Sequence, residues 1–303
     1  NLPDKLPSGS QIIRTPVTNT VALSASQIGL LDALNLSDRL SGIGSLRYLY
    51  NPKIRAAVDS NQVALIGYEG GLNLEAVIEL APELVIADGF ETIDPHLKRI
   101  QDASIPVLYF LDWMETKPLA RLEWIKVIGA FYEIENEANT YFEAHAKAYL
   151  DLKALAQYQT KKPYVFSGNN FKGTWYMAGG NSFLANMFLD AGADYKWSND
   201  TTKGSIPLSL EKVMEKHLDD PIWLNPNARS LMELAQTDQR YPLFKAHQDG
   251  NVFSPIKRSL ETGGNDYWES GMAQPDLLLK DMISIFHPEV LPNHELIYYQ
   301  RLN

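Results

Sequence analysis

The sequence predicts an α/β protein of two lobes with largely parallel sheets, joined by one long helix. Short apolar runs alternate with helical patterns in both halves of the chain. A long stretch near mid-chain has helical periodicity and contains neither Gly nor Pro. A third observation is that one helix-strand pattern occurs once in each half. Together these features indicate two similar units with a helix between them.

The predicted linker helix covers residues 134–158. Its apolar or small residues recur every three to four positions, at Ile134, Ala138, Tyr141, Ala148, Leu152 and Leu155. A helix of about 22 residues spans about 33 Å, roughly the width of a small domain. An ordinary surface helix is the alternative. We divide the chain into a flexible N-terminal tether (1–15), an N-terminal α/β lobe (16–132), a linker helix (133–160) and a C-terminal α/β lobe (161–303).

The N-terminal lobe alternates strand and helix patterns. Strands are predicted at 20–23, 40–43, 63–66, 84–87 and 107–110. Helices are predicted at 26–34, around 54, at 74–80, at 96–103 and, as one helix, at 117–132. Because such alternation requires crossover connections, we expect a largely parallel sheet.

Strand patterns begin again after the linker. They are predicted at 164–166, 174–177, 222–224 and 252–253, with helices at 182–190, 208–217, 230–234 and 275–286. Pro288 stops the last helix. The second lobe is therefore expected to resemble the first in size and class.

Composition excludes several classes of protein. The 303 residues are 45% hydrophobic, which suits one or two globular cores. A net charge of -10 argues against a nucleic-acid partner and favours a soluble monomer. The absence of Cys excludes disulfides, thiolate metal sites and thiol catalysis. The sequence has no membrane-span pattern, and we expect any targeting segment to have been removed.

The loops that follow the predicted strands contain many aromatic and glycine residues. Ligands bind at the carboxyl ends of parallel strands in open α/β sheets. The candidate ligand-binding residues in these loops are Arg47, Tyr48, Tyr68, Glu69, Trp113, Lys172, Trp175, Tyr176, Arg229 and Trp268. Aromatic faces with Arg, Lys and carboxylates suit a large, planar ligand that is partly anionic or carries amides. The alternative is that half of these aromatics close the cores of the lobes or the contact between the lobes.

Motifs of the common enzyme classes are absent. The sequence contains no GxGxxG after a strand, no GxxxxGK[ST], no GxSxG and no HExxH. The six His residues are scattered. We therefore predict no catalytic residues, no resident cofactor and no protein-ligated metal, although a catalytic Asp or Glu pair stays open.

The pattern shared by the two halves lies at 73–86 and 209–224. In each, a polar residue, Asn73 or Ser209, is placed to cap a helix. Glu75 and Glu211 then lie in the first turn, where the helix dipole favours negative charge. Capping alone is one explanation of the two glutamates.

These segments resemble the periplasmic substrate-binding proteins of ABC importers for vitamin B12 and ferric siderophores. The resemblance rests on NLEAVIELAPELVIADG in the first half, LSLEKV in the second and the long helix between them, and it covers about residues 16–292. It implies that Glu75 and Glu211 dock onto arginines of the membrane permease. It also implies export, in many members as a lipoprotein.

The resemblance implies that the cleft between the lobes captures an iron chelate (siderophore or haem) or cobalamin for delivery to the permease. An anionic ferric siderophore would use Arg47, Lys172 and Arg229, whereas the aromatic residues suit either kind of chelate. A chelatase-like enzyme acting on a tetrapyrrole is one alternative. An adhesion or scaffold protein without a small ligand is the other.

Overall fold

The computed structural model describes residues 7, 9–68, 71–90, 92 and 94–303, with Tyr68 described by its backbone alone. The predicted fold class is confirmed: two α/β lobes are joined by a long helix. In the described part of the chain, no helix is both long and apolar enough to cross a membrane.

The N-terminal lobe is built on a five-stranded parallel sheet. Its strands follow the chain as β1 (Thr20–Ala22), β2 (Leu40–Ile43), β3 (Ala64–Leu65), β4 (Gly67–Tyr68), β5 (Gly71–Leu72), β6 (Leu84–Asp88) and β7 (Val107–Phe110). The main sheet has the order β3-β2-β1-β6-β7, and β4 pairs with β5 as a separate hairpin. The five predicted strands of this lobe agree with β1, β2, β3, β6 and β7 within one residue, because buried parallel strands are continuous apolar runs, whereas the short strands β4 and β5 were not predicted.

Six helices of this lobe are α1 (Ala25–Ala33), α2 (Pro52–Asp59), α3 (Leu74–Leu80), α4 (Pro95–Asp102), α5 (Pro118–Glu123) and α6 (Ile125–Phe131). The prediction of one helix over 117–132 is wrong. At Trp124 the backbone N–H bonds to Arg121 three residues back, which tightens the chain and separates α5 from α6.

The linker helix is α7 (Glu135–Gln157). Ala138, Tyr149 and Ala156 are its buried residues, and most of the others face solvent at least in part. The Tyr149 hydroxyl donates to Asp190 of the C-terminal lobe at 2.8 Å. The helix thus contacts both lobes along one face.

The C-terminal lobe contains two sheets. Its strands are β8 (Val165–Ser167), β9 (Asn170–Phe171), β10 (Thr174–Ala178), β11 (Ser205–Leu208), β12 (Ile222–Leu224), β13 (Val252–Ser254) and β14 (Gln300–Arg301). The order β14-β13-β12-β8 forms a sheet in which only β14 runs antiparallel, and β11-β10-β9 forms an antiparallel sheet. Strands β9, β11 and β14 were not predicted. They are two to four residues long, and the exposed positions in β11 and β14 weaken the apolar signal.

The helices of this lobe are α8 (Phe183–Asp190), α9 (Leu210–His217), α10 (Leu231–Thr237), α11 (Lys245–Gln248), α12 (Ser270–Ala273) and α13 (Pro275–Phe286). Short helix α12 packs against α1 of the other lobe. The two lobes therefore meet directly as well as through α7.

The cores of the lobes differ in composition. The N-terminal core consists mainly of Val, Ile and Leu side chains. The C-terminal core contains a group of large rings, namely Phe166, Trp175, Trp223, Tyr241 and Phe244, with neighbouring ring centroids 5.2 to 6.4 Å apart. We call this group the aromatic core cluster.

Part of the predicted N-terminal tether lies against the N-terminal lobe. The Gln11 side chain bonds to both backbone groups of Val107, accepting from its N–H at 2.7 Å and donating to its carbonyl at 3.1 Å. Ile13 packs against the core. Residues 1–6 and 8 lie outside the described part of the chain.

Candidate functional site

The N-terminal sheet has a topological switch point between β1 and β6. Strands after β1 are added on one side, and β6 and β7 lie on the other. Ligand crevices form at the carboxyl ends of strands at such a point, because the connections leave in opposite directions there. Ser24 follows β1 and Asp88 ends β6, so these two side chains flank the switch point.

A cleft with a volume of about 430 Å³ opens at this edge. The lining residues come from both lobes: Leu23, Ser24, Ala25, Ser26, Ile28, Ser45, Tyr48, Leu49, Asp88, Trp113 and Arg121 from the N-terminal side, and Gly263, Asn265 and Trp268 from the C-terminal lobe. The volume lies within the range of small-molecule sites.

Three aromatic side chains line the cleft and remain about half exposed: Tyr48 at 60%, Trp113 at 45% and Trp268 at 52%. The Trp113 indole N–H donates to the Gly89 carbonyl at 3.2 Å, which fixes the orientation of its ring. Exposed Phe90 lies beside it, with ring centroids 5.4 Å apart. Large rings that stay exposed at a concave surface are typical of sites for flat or apolar ligands.

The cleft floor contains a half-buried carboxylate, Asp88. The Gln27 side-chain amide donates to its Oδ1 at 2.9 Å. Burial, followed by the negative charge of Asp112, raises the pKa of Asp88, and hydrogen bonds from Ser24 and Gln27 oppose part of that rise. The charged form of Asp88 is therefore stabilised less than it would be in water.

Arg121 reaches the same floor from α5. Its Nε lies 3.0 Å from Oδ2 of Asp112, and both side chains are largely buried. The second oxygen of Asp112, Oδ1, has no hydrogen-bond partner among the described residues. The Arg121 guanidinium also lies over the Phe183 ring at 5.3 Å, so it connects the cleft floor to the C-terminal lobe.

Behind the cleft, Glu269 of the C-terminal lobe joins the two lobes. Its carboxylate accepts hydrogen bonds from the backbone N–H of Tyr50 at 2.7 Å and of Asn51 at 3.1 Å. Burial raises its pKa to about 7, although these backbone donors lower it in part. A side chain at Gly29 would place its Cβ 2.4 Å from the Glu269 carbonyl oxygen, so this close approach of the lobes requires glycine there.

Two predicted cations lie beside the cleft. Arg47 is exposed at the rim, with its guanidinium 5.4 Å from the centre of the Tyr48 ring. Arg229 lines a smaller cavity of about 240 Å³ that shares Gly263 and Asn265 with the cleft. Arg229 therefore borders an extension of the same crevice.

The prediction that Trp175 binds the ligand is wrong. It is 0% exposed within the aromatic core cluster, and its indole N–H donates to the Ser167 carbonyl at 2.9 Å. Because side chains alternate along β10, Trp175 points inward while Tyr176 is exposed. Trp175 is thus a core residue with no surface to offer a ligand in the cleft.

Lys172 and Tyr176 belong to the β9–β10 hairpin and are not among the cleft lining residues. Lys172 occupies the hairpin turn with a φ of 52°. Tyr68 lies in β4 by its backbone, and its side chain and all of Glu69 lie outside the described residues. The structure therefore brings Tyr48, Trp113 and Trp268 together, with Arg47 and Arg229 beside them.

Sequence reasoning missed Asp88, Ser24 and Arg121. Asp88 and Ser24 directly follow the fourth and first predicted strands, so the carboxyl-end rule applies to them as it does to Tyr48 and Trp113. Arg121 lies inside a helix, and no local pattern marks its direction toward the cleft.

Glu75 and Glu211 occupy matching positions on α3 and α9. Asn73 caps α3 by accepting from the Ala76 N–H at 3.1 Å, and Ser209 caps α9 by accepting from the Lys212 N–H at 3.2 Å. Both glutamates are exposed. Glu211 pairs with Arg240 at 2.8 Å, whereas no ion pair reaches Glu75 among the described residues.

Within the described ranges, no group of three His, Asp or Glu side chains is arranged to hold a metal ion. Three His residues instead pair with single aspartates, each at 2.7 Å: His145 with Asp276, His217 with Asp220 and His294 with Asp281. His217 also accepts from the Trp197 indole, so both of its ring nitrogens are satisfied inside the core.

The lobes, the linker helix and the cleft between the lobes are those of a solute-binding protein. The chain belongs to the periplasmic binding protein family, whose model matches residues 20–255.

A curated relative is an uncharacterized lipoprotein of Methanocaldococcus jannaschii, 26% identical, with the match covering 99% of this chain and 72% of the relative. Among solved structures, a periplasmic haem-binding protein from Pseudomonas aeruginosa is 19% identical, covers 95% of this chain and 98% of its own, and has a TM-score of 0.69. Helicobacter pylori Ceue with Ni(II) bound is 17% identical, covers 94% and 88%, and has a TM-score of 0.68. At sequence identities this low, the structural similarity shows a shared fold alone.

Proposed function

We propose that this protein captures a metal chelate in the interlobe cleft and delivers it to the permease of an ABC importer. The cargo class is an iron chelate, either a siderophore or haem, or cobalamin. The observation that carries the proposal is the cleft at the switch point, where Tyr48 and Trp113 of one lobe and Trp268 of the other present exposed rings. Such rings bind the organic shell of a chelate, so the metal needs no protein ligand.

Family membership supports the binding role. Proteins of similar fold are described as haem-binding, from Pseudomonas aeruginosa and Vibrio cholerae, and one binds Ni(II). The chelate carried by this chain is inferred from the chemistry of the cleft together with these neighbours.

The binding experiment is a titration of intrinsic tryptophan fluorescence with cyanocobalamin, haemin and a panel of ferric siderophores. Inner-filter controls and calorimetry accompany it. Saturable binding of one chelate at micromolar concentration or below is the expected result, because Trp113 and Trp268 line the cleft. Absence of binding by every chelate would contradict the proposal. Conversion of a tetrapyrrole with turnover would favour the chelatase-like alternative.

Tyr48→Ala should weaken the binding of the chelate that the titration identifies, since the Tyr48 ring is one of the two exposed rings that the N-terminal lobe contributes to the cleft. Tyr158→Ala is the matched control because Tyr158 is 82% exposed at the end of α7, outside the cleft. Equal affinity in the two variants would contradict a cleft site.

Delivery to a permease is proposed to use Glu75 and Glu211. Both are exposed and lie in the first turn of a capped helix, one on each lobe, so each lobe presents a carboxylate at a matching position. Arg residues on a partner would pair with them across a polar interface.

Charge reversal tests this docking. The double variant Glu75→Arg/Glu211→Arg should abolish uptake of the bound chelate into cells while its affinity for the chelate stays unchanged. The control is Glu79→Arg/Glu215→Arg, one helical turn further on α3 and α9, where both glutamates are also exposed. Intact uptake in the first variant, or an equal loss in the control, would contradict the docking role.

We further propose a location outside the cytoplasmic membrane, in the periplasm or on the cell surface with a lipid anchor, and a monomeric state. Two curated relatives are described as lipoproteins. Digestion by protease added to intact cells or spheroplasts tests the location, and sedimentation tests the monomer.

A further inference from the structure

The floor of the cleft carries more negative than positive charge. Asp88 and Arg121 are the charged side chains among the lining residues. Asp112 lies directly behind Arg121, with the 3.0 Å ion pair between them. Two carboxylates and one guanidinium leave one net negative charge in the floor, whereas Arg47 lies at the exposed rim and Arg229 in the adjoining cavity.

Arg121 is already engaged by protein groups. Its Nε faces Asp112, its guanidinium lies over the Phe183 ring, and its side chain is only 11% exposed. An anionic ligand would have to compete with the buried carboxylate of Asp112, which would then lose its partner. The positive charge in the floor is therefore a weak anchor for an anion.

Asp88, in contrast, retains free acceptor capacity toward the cleft. Its carboxylate accepts from the Gln27 amide and from the Ser24 hydroxyl, whereas a carboxylate has about four acceptor sites. Burial and the charge of Asp112 raise the pKa of Asp88 more than the hydrogen bonds from Ser24 and Gln27 lower it. A ligand that brings N–H or O–H groups to this carboxylate would supply the hydrogen-bond donors that the protein does not provide.

We infer that the cleft floor selects a neutral or cationic chelate that presents amide, hydroxyl or ammonium donors to Asp88, and that it rejects polyanionic chelates. The inference rests on the proposed function and names the ligand class for the same cleft. Discrimination arises because a negative ligand group near Asp88 and Asp112 meets like charge in a partly buried site, where water screens it poorly.

The test compares four probes of different charge by calorimetry at one ionic strength. Cyanocobalamin carries amide donors and no net charge, and ferrioxamine B carries an ammonium group. Haemin carries two carboxylates, and a ferric tris-catecholate is a polyanion. One of the first two should bind about tenfold or more tighter than both anionic probes.

The variant Asp88→Asn keeps the shape of the side chain and an oxygen that can accept from Gln27. It should reduce the affinity ratio of donor-bearing to anionic probes by about tenfold. Asp38→Asn is the matched control, since it makes the same charge change at an exposed site of the N-terminal lobe outside the cleft. The control should leave the ratio unchanged.

The outcomes separate the two proposals. Tightest binding of an anionic probe to the unmodified protein would overturn the selection but leave the binding function standing. No binding by any of the four probes, or by other chelates, would overturn both. An unchanged ratio in Asp88→Asn would overturn the role of Asp88. The order of affinities in the unmodified protein tests the selection even where the variant does not fold.

Discussion

Large aromatic side chains are distributed differently in the two lobes. In the C-terminal lobe, the aromatic core cluster joins the two sheets. The ring centroids of Trp175 on β10 and Trp223 on β12 lie 5.5 Å apart, and both side chains are fully buried. In the N-terminal lobe the core is mainly aliphatic, and Tyr48, Phe90 and Trp113 are left at the surface around the cleft. An aromatic residue near a strand end therefore indicates a ligand contact only when its strand faces the cleft.

Trp175→Ala should produce the largest effect on stability. Truncating a fully buried Trp leaves a cavity between two sheets and lowers the free energy of unfolding by about 3 to 5 kcal/mol. Urea denaturation followed by circular dichroism measures it. A loss of ligand affinity without a loss of stability would show that Trp175 acts at the cleft after all.

The contact between the lobes should respond to pH through Glu269. Burial raises the pKa of Glu269 from 4.5 to about 7. Between pH 4.5 and about pH 7, the folded protein therefore binds the carboxyl proton of Glu269 more tightly than the unfolded chain does. The stability it contributes is present below about pH 4.5 and is lost as the pH rises through about 7. The loss is about 3 kcal/mol.

Glu269→Gln removes this titration and should flatten that part of the pH profile. Unfolding free energies of both proteins at pH 5 and pH 8 give the difference, with Glu79→Gln as an exposed control. If the unmodified protein and Glu269→Gln lose the same stability between the two pH values, Glu269 is not the titrating group.

Trp113→Ala should have the smallest effect on folding and a clear effect on binding. The Trp113 ring is 45% exposed, so its removal leaves only a small cavity. The cleft, however, loses one of its three exposed aromatic rings. Ligand affinity should fall by about 1 to 3 kcal/mol, measured by calorimetry with the chelate that binds the unmodified protein. Unchanged affinity together with lowered stability would place Trp113 with Trp175 as a core residue.

Much of the fold can be predicted from local sequence patterns, as α3 shows at Leu74–Leu80 and β7 shows at Val107–Phe110. Continuous apolar runs identify parallel strands, and periodicity identifies helices such as α7. Strand β11 cannot be predicted in this way, because it is short, contains a proline, and exposes Ser205 and Pro207.

The site is predictable only in part. The strand-end rule locates Tyr48 and Trp113 and applies equally to Asp88. It fails at Trp175, because the direction of a side chain depends on which face of β10 packs against the core. Arg121 becomes a cleft residue through the packing of α5 between the lobes, which depends on long-range contacts with the C-terminal lobe.

The single passage of the chain through α7 also has an evolutionary consequence. Each wall of the cleft is encoded by one continuous stretch of the gene, so one recombination event within the α7 codons exchanges an entire wall between relatives. The Glu269 contact tolerates such an exchange, since its partners at Tyr50 and Asn51 are backbone N–H groups that almost any sequence supplies. New ligand specificities can therefore arise by shuffling halves, provided that the N-terminal half carries glycine at position 29.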